Sequence, residues 1–145
     1  MAIIGRFFPH MLAHPAFRSR DFRDDESGVL LRHDVIDDLI NFNVDHINNG
    51  GNIAIFSEAT RNKVNPREVQ ELKTGIGRIT VGVDDPSKLL IVTMAFAYKS
   101  ERLKLRPLAV VGEPFSPRGM ELDEVLKETR ERMQAATTEA FDLVA

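Results

Sequence analysis

Residues 89–96 read Leu-Leu-Ile-Val-Thr-Met-Ala-Phe, the most continuous apolar run in the chain. The run falls far short of the roughly 20 residues needed to cross a bilayer. It also lacks the apolar–polar alternation of a strand with one wet face. Together these features predict a central strand of a parallel sheet, covered on both sides. A chain of 145 residues fits one domain built around such a sheet.

The flanking punctuation suits that picture. Gly28-Val29-Leu30-Leu31 is a short apolar run that reads as a strand ending at Arg32. From Asp34, placed as a cap, Val35, Ile36, Leu39, Ile40, Val44 and Ile47 recur at helical spacing. Asn48-Asn49-Gly50-Gly51 stops that helix, since Asn and Gly accept the left-handed conformation. Ile53-Ala54-Ile55-Phe56 follows as a second buried strand, and Ser57 opens the loop at its end. Residues 62–71 form a polar connector containing Pro66. Residues 73–83 predict a helix with Ile76, Ile79 and Val83 on one side, although Gly75 and Gly77 weaken it. Residues 103–111 are a further strand, in which Pro107 suits an edge. The last helix spans about 121–141, with Leu122, Val125, Leu126, Thr129, Met133, Ala136 and Ala140 as its buried stripe. The order strand, helix, strand, helix, strand, strand, helix is an α/β pattern with a largely parallel sheet flanked by helices. Ligands of such sheets collect beyond the strand ends, which puts Arg32 and the loop 57–61 on one rim.

Composition removes several functions. A net charge of −3 gives no reason to expect a nucleic-acid partner. With no cysteine, disulfides and thiolate metal sites are excluded, and no resident metal or cofactor is implied. The N-terminus lacks the basic–apolar–small order of a secretory signal, so the expected location is cytoplasmic or peripheral on a membrane. Residues 1–27 stand apart. Ile3, Ile4, Phe7, Phe8, Met11, Leu12 and Phe17 precede Arg18, Arg20 and Arg23. Such a segment can lie on a membrane surface with its cations at the headgroups. It can equally be a core-packing piece parted from its neighbours, since Pro9 and Pro15 interrupt any long helix.

The loop after Phe56 offers Glu58, Thr60 and Arg61 within four positions, and Lys73 opens the next helix. Arginine holds a phosphate bidentately, threonine adds a hydroxyl, and a helix N-terminus favours anions. Arg32 completes a set of three cations. The plainer alternative is a local Glu58–Arg61 ion pair beside a solvated Lys73.

Phe56-Ser57-Glu58-Ala59-Thr60-Arg61 resembles the Phe-Pro-Glu-Gly-Thr-Arg signature of the lysophospholipid acyltransferase family, which includes the 1-acylglycerol-3-phosphate acyltransferases. Gly50-Gly51 before it and Lys73-Thr74-Gly75 after it are similar to the family pattern. The run Lys73-Thr74-Gly75-Ile76-Gly77-Arg78 and Lys63-Val64-Asn65 look like the tafazzin branch. The resemblance covers residues 28–115, the later part of the domain. It implies an incomplete acyltransferase-like domain and acyl transfer from acyl-CoA or acyl carrier protein to a lysophospholipid or glycerol phosphate. It also implies a phosphate site built from Arg32, Glu58, Thr60, Arg61 and Lys73, with Glu58 orienting its neighbours. Ser57 and Ala59 depart from the signature's Pro and Gly, and an Ala where φ is positive would be strained.

The family's base is a histidine in Asn-His-x4-Asp, which deprotonates the acceptor hydroxyl while the aspartate orients the imidazole. Only 31 residues precede Arg32, and neither His10 nor His14 has an aspartate five positions later. His33 and Asp38 do have that spacing, but on a regular helix they point about 140° apart. Three readings therefore stand: a shortened acyltransferase, a non-catalytic phosphate- or lipid-binding module, and an enzyme that borrows its histidine from a partner chain.

Overall fold

A computed structural model describes residues 26–58, 62, 64–101 and 104–145. The apolar and basic stretch of residues 1–25, together with Thr60 and Arg61, lies outside the described residues. The chain divides into two compact units, residues 1–38 and 39–145.

Helix α1, Glu26–Asn48, begins in the first unit and ends in the second. Residues 28–31 are thus helical, and the strand expected before Arg32 is corrected. A four-residue apolar run cannot by itself distinguish strand from helix. Here Leu31 falls four residues before Val35, and Val35 four before Leu39, so the run extends the following helical stripe. The end of α1 matches expectation. The Gly51 amide donates to the His46 carbonyl at 2.8 Å and the Gly50 amide to that of Ile47 at 2.8 Å. With Gly50 at φ 82°, this is the paired closure of a Schellman motif.

In the second unit, α2 (Gly75–Gly82), a 3-10 turn (Pro86–Lys88), β1 (Met94–Glu101), β2 (Lys104–Val111) and α3 (Leu122–Val144) follow α1. Gly77 of α2 is buried, and a Cβ there would lie 2.9 Å from Leu122 Cγ. The glycine that weakens the helix by propensity lets it approach the start of α3 closely. Helix α3 opens on a capping box. Glu121 accepts from the third helical residue, and Glu124 Oε2 accepts the Glu121 amide at 2.8 Å. Asp123 and Glu124 favour the same end electrostatically.

The expected largely parallel sheet is absent among the described residues. β1 and β2 form a two-stranded antiparallel hairpin in the register Met94↔Val111, Phe96↔Ala109 and Tyr98↔Pro107. A bridge between Ile91 and Phe115 extends the pairing toward α3. The run 89–96 is therefore neither central nor covered on both sides. Ala95, Ala97 and Val110 pack against Ala136 and Ala140 of α3, with Leu108, Phe141 and Val144 around them. Alanines on both partners let helix and sheet approach closely. Residues 53–56 form no strand either: they join no ladder, and Phe56 is 91% exposed. Parallel strands stand only beside other strands with crossover helices, and the described residues supply no such neighbour. Among the described residues, no helix is long and apolar enough to cross a membrane.

Candidate functional site

The described residues between Ser57 and Lys73 (57, 58, 62 and 64–73) are tied down as a strap. The Lys73 amide donates to the Ser57 carbonyl at 2.9 Å, closing the strap at its base. Glu58 Oε1 accepts the Gln70 amide at 2.7 Å and braces it one step further in. At the far end, Asn62 Oδ1 accepts the amides of Val64 (3.1 Å) and Asn65 (2.9 Å), while its Nδ2 donates to the Glu68 carbonyl at 3.0 Å. These short-range bonds mimic backbone turns, which is why Asn recurs in such segments.

Helix α3 holds the strap from one side. Gln134 accepts the Val69 amide at 2.9 Å and donates to the Arg67 carbonyl at 2.8 Å. Arg130 donates to the carbonyls of Val69 (3.1 Å) and Gln70 (3.3 Å). Val69 and Leu72 of the strap are buried, and Leu72 lines a cleft with Leu126 of α3. Neither Arg130 nor Gln134 was among the expected site residues. Their spacing, two long hydrogen-bonding side chains one turn apart beside the buried stripe of α3, marks a shared helix face but not the segment it holds.

The expected phosphate set is only partly brought together. Glu58 is half-buried and its Oε1 is engaged with backbone, consistent with a bracing role. Lys73 is exposed and its backbone is tied to the strap's first residue. It directly precedes α2, whose Thr74 cap makes no side-chain hydrogen bond and whose first turn carries no acid. A cation at an uncapped helix N-terminus is unfavourable unless an anion is supplied. Thr60 and Arg61 follow the braced Glu58 but lie outside the described residues. Arg32 lies on α1 in the first unit, and the rim of strand ends expected to carry it is absent among the described residues.

His33 and Asp38 are both exposed on α1, about 140° apart around its axis, so the base-and-orienter geometry is not formed. His46 is half-buried and stacks on Phe42 at 6.4 Å between ring centroids, a packing role. Among the described residues, no group of three or more His, Asp or Glu side chains could hold a metal ion. Two shallow clefts lie among the described residues. One of about 330 Å³, between α2 and the Pro117–Gly119 turn, is lined by no cation. The other, about 250 Å³, sets Lys127 and Arg130 against Glu71 and Glu131 over Leu72 and Leu126, so its charges balance. In comparisons with protein-family models, curated proteins and solved structures, the chain matches none.

Proposed function

We propose that the chain binds the phosphate of a glycerophospholipid acceptor, a lysophospholipid or glycerol phosphate, at the strap beside the N-terminus of α2. The observation that carries the reading is the Ser57–Lys73 hydrogen bond. It ties the stem of the signature loop to Lys73 and to a helix start with no capping side chain and no acid. Arg61 would grip the phosphate bidentately, Thr60 would add a hydroxyl, and Lys73 would add a point charge. Glu58 holds the loop rather than the ligand. The reading rests on the signature loop and its local geometry, not on a parallel sheet.

In a complete acyltransferase of this kind, the acceptor oxygen attacks the thioester of acyl-CoA or acyl carrier protein. The acyl group moves from sulfur to oxygen and the thiol leaves. The separation of His33 from Asp38 favours binding without turnover by these residues, the second reading: a non-catalytic phosphate- or lipid-binding module. A general base contributes about 10²–10⁴-fold, and nothing described on α1 supplies one.

Binding of lysophosphatidic acid against its uncharged monoacylglycerol counterpart tests the proposal. Charge-assisted hydrogen bonds are worth roughly 1.5–3 kcal/mol, so Arg61→Ala should weaken the phosphate lipid about tenfold or more. Arg61→Lys should recover part of that loss, and Arg118→Ala should bind like wild type. Equal affinity for the two lipids would overturn the phosphate site. Thiol release from acyl-CoA that disappears in His33→Ala would instead make α1 catalytic.

A further inference from the structure

The inner face of the hairpin lies under α3, and its outer face is apolar and has no cover among the described residues. Met94, Phe96 and Tyr98 alternate with the buried Ala95 and Ala97, and their partners Val111, Ala109 and Pro107 share their side. Val92 and Leu90 continue the stripe beyond the strand. The large apolar members run from 49% exposed at Met94 to 68% at Leu90. None of these eight positions carries a charge.

We propose that this face is the interface of a homodimer, in which a second copy of the chain packs hairpin against hairpin. The six large side chains, about half exposed, offer on the order of 600 Å² per chain, the upper end for a monomer's largest apolar patch. Two copies face to face then remove about 1,200 Å² from water, the lower bound for a stable specific interface. The patch also suits itself. It is flat and uncharged, and a two-fold axis near Phe96 sets each apolar row on its counterpart across about 10 Å, as in packed sheets. A charged partner gains nothing from it. The dimer does not depend on the phosphate reading and stands or falls separately.

Sedimentation equilibrium of the full chain across the micromolar range tests it. Wild type should show a reversible monomer–dimer equilibrium. Phe96→Glu sets two carboxylates against each other at the axis and should weaken the dimer at least about thirtyfold, with an unchanged circular dichroism spectrum. Because the chain has no cysteine, Ala109→Cys introduces a single thiol on the face. A short bis-maleimide that spans the roughly 10 Å between packed sheets should link two chains through it, whereas Lys127→Cys on α3 should give no linked dimer. Three results would overturn the dimer. One is a wild-type monomer throughout the range, and another is open-ended aggregation indifferent to Phe96→Glu. The third is a monomer that binds phosphatidylglycerol vesicles through Phe96, which would assign the face to lipid.

Discussion

The strap of residues 57–73 and the outer face of the β1–β2 hairpin are held by opposite means. Among its described residues the strap buries Ser57, Val69 and Leu72, and Glu58, Asn62, Arg130 and Gln134 hydrogen-bond to its backbone. The outer face has a complete ladder to its neighbour strand and large apolar side chains with no cover among the described residues. Polar partners are short in reach and can be supplied by the next few residues or by one helix. An apolar face needs a second layer. The described part of the strap draws its support from its own unit, whereas the hairpin face still needs a layer to cover it.

The sharpest way to break that contrast lies in two adjacent residues. Ala97 is buried under α3, so Ala97→Asp forces a carboxylate into an apolar contact and should cost about 3–5 kcal/mol or prevent folding. Phe96→Glu, one position along but on the open face, should change the stability of the monomer by no more than about 0.5 kcal/mol. Urea unfolding at low protein concentration reads both. Comparable losses would mean that the outer face is covered by the chain itself.

A smaller effect tests the strap. Gln134→Ala removes the acceptor for the buried Val69 amide and the donor to Arg67, and should cost about 1–3 kcal/mol. Hydrogen exchange at Val69 should accelerate accordingly. If that amide keeps its protection, α3 does not hold the strap.

The smallest expected effect belongs to Asp85, which lies in neither region. Its carboxyl is held below the ordinary value of 3.8 by the Ser87 hydroxyl first and Lys88 second. A depressed carboxylate contributes stability above its unfolded pKa and loses it as pH falls through the folded value. Asp85→Asn should therefore cost a little stability at neutral pH, with the difference from wild type vanishing as pH falls below about 4.

Local features were legible in the sequence, and the non-local arrangement was not. The helix stop at Gly50, the helix before Asp84, the strand ending at Val111 and the stripe Val125–Thr129–Ala136–Ala140 were expected and are found. Each is set by residues within a few positions. The parallel sheet was inferred from apolar runs at 28–31, 53–56 and 89–96, and those runs became a helix, an irregular segment and one side of a hairpin. An apolar run reports a need for cover but not which element supplies it. At the candidate site, Glu58 and Lys73 were identified from their neighbours, while Arg130 and Gln134 belong to an element some 60 positions away. No local spacing connects those to the strap.

The phosphate site is tested most directly at the backbone of α2. With amide resonances assigned, glycerol 3-phosphate is titrated into wild-type protein and into Arg61→Ala, with glycerol as the uncharged control. Saturable shifts should appear at Gly75, Ile76 and Gly77, the first-turn amides that follow Thr74. They should weaken about tenfold or more in Arg61→Ala and be absent with glycerol. If glycerol 3-phosphate leaves those amides unmoved, or moves them equally in Arg61→Ala, the strap and the start of α2 do not form an acceptor-phosphate site.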